Sequence, residues 1–207
     1  QIKKFVQYYE LLVEWNRMIN LTSIVEWKEV VTRHFLDSVS VFLGVPEIRQ
    51  VQKKVIDIGT GAGFPGIPLK IVFPEIQLSL LEPKRRKLEF VESVIEKLDL
   101  SDVVLLSGRA ENFGRSIVHR EKYDVVVSRA VAEIAQLVEL ALPFCRKDGI
   151  FIAQKGLEVN LELTRGHKAV TELGGEVSEV IHVGNTVSFL SKAYLVLFRK
   201  VWCTPMK

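Results

Sequence analysis

Apolar residues recur at three- and four-residue steps along the opening of the chain. Phe5, Tyr8, Tyr9, Leu12, Trp15 and Ile19 share one face, which predicts an amphipathic helix from Phe5 to Asn20 with an aromatic side turned to a core. A second helix over Trp27 to Leu43 follows from Val30, Val31, His34, Phe35, Val39 and Phe42, and Pro46 ends the region. The pattern then changes. Lys53 to Ile58 reads as a buried strand running into Gly59-Thr60-Gly61-Ala62-Gly63, and Pro65 and Pro68 suit the first turn of a following helix. Further strands are predicted at Gln77 to Leu81, Val103 to Leu106, Tyr123 to Val127 and Ile150 to Ala153. Helical periods lie between them at Lys84 to Leu98, Val131 to Phe144 and Asn160 to Leu173, with turns at Lys147-Asp148-Gly149 and Gly174-Gly175. Val177 to Val183 and Ala193 to Phe198 are joined by a loop too short for a crossover helix, so they are expected to pair antiparallel.

Strands alternating with helices imply a parallel sheet with helices on its faces. Five parallel strands plus a reversed terminal pair give the Rossmann-like, seven-stranded, mostly parallel α/β sheet of class I methyltransferases, with the last strand reversed. The expected organisation is an N-terminal helical cap over residues 1–50 and a methyltransferase domain over 51–207, built as one compact unit.

The glycine loop carries the first chemical signal. Its spacing is G-x-G-x-G after the acidic Asp57, and Phe64 stands where a dinucleotide fold needs its third glycine. Pro65 removes a donor from the helix N-terminus that a pyrophosphate would use. Twenty-three residues after Gly59, Glu82 ends the second strand, where a carboxylate accepts hydrogen bonds from both hydroxyls of a ribose. An adenosine cofactor without pyrophosphate, S-adenosylmethionine, fits these features. The alternative is that the glycines only make a tight turn and Glu82 is a solvated strand end. Other strand ends are polar: Gly108-Arg109-Ala110-Glu111 is placed to reach the adenine, and Ser128-Arg129 and Gln154-Lys155-Gly156 bring two cations to one rim. Arg129 is placed to face the reacting centre, or else pairs with a surface carboxylate. His34 and Asp37 share a helix face and either cap the pocket and touch substrate or bond one another to pack the cap.

Composition narrows the class. With 48% hydrophobic and 26% charged residues over 207 positions the chain is globular rather than disordered. No apolar run approaches the ~18 residues of a membrane helix, and no secretory signal shows, so a cytoplasmic protein without membrane association is expected. Two cysteines, Cys145 and Cys203, are too few for a disulfide scaffold or a zinc site, so no metal is expected. The excess of 28 basic over 25 acidic residues permits nucleic-acid binding only where basic residues cluster. Lys84-Arg85-Arg86-Lys87 is such a cluster, with Arg109 and Lys155 on the same rim, against the plain alternative of a solvated helix face.

Asn16 to Thr22, Arg33 to Ser38, Asp57 to Leu69, Gly108 to Glu111, Ser128 to Val131 and Gln154 to Gly156 occur together in order. In this the chain resembles the RsmG (GidB) family of bacterial 16S ribosomal RNA 7-methylguanosine methyltransferases, from about Tyr8 to the C-terminus; the first residues of the family are expected to be missing. The resemblance implies methyl transfer from S-adenosylmethionine to guanine N7, with 16S ribosomal RNA or the small ribosomal subunit as partner and a monomeric protein. It also implies cofactor contacts at Gly59, Phe64, Glu82-Pro83-Lys84, Ala110-Glu111 and Arg129, to which the loop residues Asp57, Gly61 and Gly63 are added. Arg129 and Lys155 are the candidates to position substrate, with His34 and Asp37 behind them. Two rival readings are an NAD-dependent oxidoreductase, opposed by Phe64 and the reversed strand pair, and a non-catalytic RNA- or ribosome-binding module on a methyltransferase fold.

Overall fold

The computed structural model describes residues 1–49, 52–129 and 132–205. Seven strands form one sheet in the order β3-β2-β1-β4-β5-β7-β6. They are β1 (Lys54–Ile58), β2 (Gln77–Glu82), β3 (Val103–Ser107), β4 (Tyr123–Arg129), β5 (Cys145–Lys155), β6 (Gly175–His182) and β7 (Tyr194–Lys200). The first five run parallel, and β7 lies antiparallel between β5 and β6. The last strand is therefore reversed, as its short connection requires.

Alternation along the strands divides the core into two layers. Val55, Leu78, Leu80, Val125, Val127, Ile152 and Leu197 face one layer, while Ile56, Ile58, Leu81, Val126, Phe151 and Phe198 face the other. Helices α4 (Gly66–Val72) and α5 (Arg85–Lys97) contribute to the first layer, and α7 (Ile134–Ala141) and α8 (Val159–Glu172) cover the second; the short α6 (Ala110–Phe113) lies at its margin.

The N-terminal helix α1 (Ile2–Asn16) is shorter than its pattern, because Asn16 stops it. The Asn16 Oδ1 accepts from the backbone N–H of Leu21 and Thr22, and its Nδ2 donates to the Thr22 carbonyl. These three bonds offer the backbone a better partner than a further helical turn. The predicted second helix is one continuous rod of mixed pitch: α2 (Trp27–Val30), a π turn (Val31–Leu36), α3 (Asp37–Val39) and a 3₁₀ turn (Ser40–Leu43). Tyr8, Leu12, Val30 and Phe35 of this cap share a core cluster with Ile67, Phe90 and Val127. The expected boundary at 50/51 falls outside the described residues, as do Ala130 and Val131.

Strand edges differ from the sequence pattern in one instructive place. Lys147-Asp148-Gly149, expected as a turn, lies within β5, where Asp148 takes φ 61° and the pairing with β4 shifts register between Tyr123 and Val125. A bulge absorbs the turn residues without ending the strand.

The cap is pinned to the glycine loop from behind. Tyr8 is fully buried, its hydroxyl donates to the Ala62 carbonyl, and its ring stacks on Phe64 at 5.3 Å. Removing that hydroxyl leaves a buried carbonyl without its donor. Tyr8→Phe is expected to lower stability by about 1–3 kcal/mol in urea unfolding, while Phe5→Leu in the same helix costs less.

Candidate functional site

The site lies at the C-terminal ends of β1, β2, β4 and β5, where open α/β sheets bind ligands. The loop after β1 is tied down on three sides. The N–H groups of Gly59 and Thr60 donate to the Leu81 carbonyl at 2.9 and 3.1 Å, which fixes the loop to the end of β2. Asp57 Oδ2 accepts from the Thr60 hydroxyl at 2.7 Å and from the Gly66 N–H at 2.8 Å, which fixes it to α4. Tyr8 holds Ala62.

Three glycines here take positive φ, namely Gly59 at 71°, Gly61 at 60° and Gly63 at 91°. Glycine adopts these angles at no steric cost. Gly61 and Gly63 nevertheless serve different ends. A Cβ on Gly63 would lie 2.6 Å from the Tyr8 hydroxyl and 2.7 Å from Ile67. On Gly66 it would lie 2.4 Å from Leu80. Those two are glycines because the protein fills the space. A Cβ on Gly61 meets only the Lys87 ammonium at 3.8 Å and the Gly59 carbonyl at 3.9 Å. Gly61 thus presents bare backbone to open space.

Glu82, buried at the end of β2, stands beside that opening. Its Oε2 accepts from the Gly61 N–H and its Oε1 from the Lys84 N–H, both at 3.0 Å. Each oxygen is aimed by one backbone donor and retains capacity to accept another. The α4 N-terminus offers no such capacity. Pro65 and Pro68 have no N–H, Gly66 donates to Asp57, and Ile67 donates to the Gly63 carbonyl. A pyrophosphate therefore finds no donor there. The residues fit an adenosine whose ribose meets Glu82 and whose other end passes the glycine loop, and they do not fit a dinucleotide.

The remaining predicted residues divide. Asp57 is fully buried behind the loop, not open to a ligand. Burial pushes its carboxyl up to about 6, against the pull of its two donors, and its Oδ1 has no hydrogen-bond partner. The Phe64 side chain is likewise turned to the buried side of the loop. Its ring is buried between Tyr8, His34 at 4.6 Å and the Arg129 guanidinium at 4.9 Å, which leaves only its backbone for a cofactor. Pro83, Lys84, Arg85 and Arg86 are exposed on the rim, and Lys87 turns inward to the glycine loop. Ala110 and Glu111 open α6 beside this edge, and Arg109 is exposed just before them. Lys155 is not a free cation on the rim. Its side chain is 8% exposed, pairs with Glu162 at 2.5 Å and donates to the Ala132 carbonyl. Two cavities have volumes of about 320 and 490 Å³. One is at the opposite sheet edge around Ser79 and Tyr123; the other, between α6, α7 and α8, includes Ala110 and Glu111 in its wall.

Arg129 joins the sheet to the cap. Its Nη1 donates to the Arg33 carbonyl and to Asp37 Oδ2, at 3.1 and 3.0 Å, and its Nη2 to His34 Nδ1 at 3.2 Å. The adjacent strand end adds Gln154, whose Nε2 donates to the Asp37 carbonyl at 2.7 Å. His34 and Asp37 therefore meet Arg129 rather than one another. Since a guanidinium only donates, His34 Nδ1 is unprotonated, and Nε2–H donates to Thr22 Oγ1 at 2.9 Å. Burial, then Arg129, lowers His34 to about 4. Burial also holds Asp37 above the usual carboxylate range despite the adjacent guanidinium. The Asn16–Thr22 segment thereby acquires a role its residues do not declare: Asn16 shapes the loop that presents Thr22 to His34. Tyr8 and Gln154 also shape the site without standing out in the sequence as doing so. The signal for Tyr8 is a hydroxyl on an otherwise apolar helix face, which has to find a buried partner.

The family description rRNA small subunit methyltransferase G (GidB) matches residues 1–190. The chain is 45% identical over 206 residues to the ribosomal RNA small subunit methyltransferase G of Thermoanaerobacter sp. (strain X514), covering 100% of this chain and 85% of that protein. With the protein of the same name from Alkaliphilus oremlandii (strain OhILAs) it shares 45% identity over 207 residues, at 100% and 85% coverage. Among solved structures, a mutant of MtNAS in complex with S-adenosylmethionine superposes with a TM-score of 0.63 at 16% identity, over 97% of this chain and 73% of that one. The ribosomal protein L11 methylase of Lactobacillus delbrueckii subsp. bulgaricus gives 0.61 at 15% identity, over 81% and 79%. These two likenesses are of fold.

Two buried groups titrate in opposite senses. Between about pH 4 and 6 folded Asp57 keeps a proton that the unfolded chain has lost, so its contribution to stability falls as pH rises. Over about pH 4 to 6.5 folded His34 lacks a proton that the unfolded chain binds, so its contribution rises. These two contributions offset one another where they overlap. In Asp57→Asn, urea unfolding is expected to show stability climbing with pH across that window. Relative to wild type the gain is on the order of 2–3 kcal/mol, at about 1.4 kcal/mol per pKa unit.

Proposed function

The chain belongs to the GidB family, rRNA small subunit methyltransferase G, and from that membership we propose that it methylates N7 of a guanine in small-subunit ribosomal RNA, using S-adenosylmethionine. The observation that carries the cofactor assignment is Glu82, aimed by the Gly61 and Lys84 amides beside the bare face of Gly61. S-adenosylmethionine supplies an electrophilic methyl group on its sulfonium. Glu82 accepts from the two ribose hydroxyls, Gly61 lets the cofactor approach the backbone closely, and the Lys87 ammonium next to Gly61 suits the cofactor's carboxylate. Ala110 and Glu111 stand at the neighbouring strand end for the adenine.

Guanine N7 carries an exposed lone pair and no hydrogen, so the residues need only position the base and support charge. This agrees with a cap cluster that holds no free base: His34 is neutral, but its Nδ1 is occupied by Arg129. Among the described residues, Arg129 has its Nε–H and one Nη2–H without a partner. These donors suit guanine O6, which lies on the same edge as N7. Gln154 and Asp37 hold Arg129 and the cap in register, as positioning residues. Lys155 has no direct part. Lys84, Arg85 and Arg86 meet RNA phosphates, which orient the RNA without selecting the base.

Mapping 7-methylguanosine in small-subunit ribosomal RNA from cells with and without the gene tests the reading directly. One guanine is expected to lose its methyl group, and an unchanged map overturns the assignment. Glu82→Ala is expected to weaken S-adenosylmethionine by about 1–3 kcal/mol in calorimetry while RNA affinity stays within about twofold. Replacing Lys84, Arg85 and Arg86 together by Gln is expected to make the slope of log K against log salt shallower by about 2, at roughly 0.7 per phosphate contact on single strands.

A further inference from the structure

The connection between β6 and β7 lies on the same edge of the sheet as the site. Because β7 runs antiparallel to β5, its first residue Tyr194 is paired with Lys155 at the C-terminal end of β5, and with His182 at the end of β6. Residues 183–193 therefore rise from the edge where β4 delivers Arg129. This loop is built, not slack. Two 3₁₀ turns, Val183–Asn185 and Ser188–Leu190, give it internal backbone bonds, including Val187 N–H to the Val183 carbonyl at 2.8 Å and Ala193 N–H to the Leu190 carbonyl at 2.9 Å. His182 stacks on Tyr194 at 4.7 Å, and its Nε2–H donates to the Ser191 carbonyl at 2.8 Å. Leu190 is buried in the core that includes Phe35. With Leu190 fixed inside, the next side chain back, Phe189, is turned outward and is 58% exposed. The turn packs against the π turn Val31–Leu36, on which Leu36 is 41% exposed. That π turn is the segment Arg129 grips.

Phe189 is an aromatic ring on a braced turn, exposed on the edge of the sheet where Arg129 lies, with no ring partner among the described residues. We propose that Phe189, on the turn that packs against the π turn carrying Leu36, is a stacking platform for an unpaired RNA base next to the target guanine. The inference rests on the ribosomal RNA reading above. Two apolar side chains fall far short of the roughly 800 Å² per partner of a stable protein interface, whereas one ring face is what a single base covers. The charge also suits a nucleic acid: Lys192 is exposed three residues on, and Arg33, paired with Glu29 at 3.2 Å on an exposed face, lies on the π turn against which this turn packs. A guanine can reach the cofactor only after leaving its stack, and its neighbour then needs another surface to stack on. Phe189 supplies that surface and holds the strand in the register that presents N7.

The test uses the full chain with small ribosomal subunits and a single-stranded oligoribonucleotide of the methylated region. Phe189→Ala is expected to raise KM for the subunit about tenfold, with kcat, S-adenosylmethionine affinity and the urea midpoint near wild type. Phe189→Trp is expected to restore KM, and its indole emission should be quenched by the oligoribonucleotide beyond any change in wild type. A KM for Phe189→Ala equal to wild type overturns the platform, as does a Trp variant whose emission ignores saturating RNA. The quenching needs no methyl transfer. If wild type binds the RNA and quenching occurs but N7 is never methylated, the substrate reading fails while the stacking stands.

Discussion

Asp57 puts a carboxylate where water cannot reach it, and the cofactor loop depends on that placement. One of its oxygens collects the Thr60 hydroxyl and the Gly66 N–H, so the end of β1, the glycine turn and the start of α4 are held as one body. Transfer of a charge into such a place is unfavourable, which is why the group is hard to ionise. The return is geometric. With Gly66 N–H taken, α4 cannot serve as an anion site, and the open backbone and spare acceptor capacity lie instead at Gly61 and Glu82.

The cap acts on the same loop through a different set of forces. Tyr8, Phe35, His34 and Arg129 surround the Phe64 ring, and Arg129 and Gln154 reach out of adjacent strand ends to hold the π turn. The π turn widens one helical turn where Arg33, His34 and Asp37 must all face a single guanidinium, and such turns recur at functional positions. Helix, loop and strand ends thus form one assembly around the glycine loop.

The architecture is largely legible in the sequence because it follows from periodicity. Alternating strands, the short last connection and the G-x-G-x-G spacing are local, and all appear in the structure. The helix boundary at Asn16 is not, because a side chain outcompetes the helical pattern, and the bulge in β5 is hidden because turn residues also fit a kinked strand. Site residues are legible by position but less so by role. Glu82 ends β2, where its spacing from the glycine loop puts it. Lys155 reads as a rim cation from its place after β5, yet its partner Glu162 belongs to a helix whose packing no local pattern reveals. Asp57 and Phe64 are recognisable as part of the loop, but the sequence does not say that they face its buried side.

The bond from Tyr8 to the Ala62 carbonyl spans 54 residues, and it imposes an order of events on synthesis. Helix α1 leaves the ribosome well before the loop it must support. At roughly 5–20 residues per second, its aromatic face waits several seconds for β1 and the glycine turn to emerge. During that interval Tyr8, Leu12 and Trp15 have only each other and the second helical segment to cover them. Loop closure over this distance is slow compared with helix formation, so the contact between cap and cofactor loop is among the later ones to close. A newly made chain therefore carries an aromatic face with its native cover still missing until the glycine loop has been made.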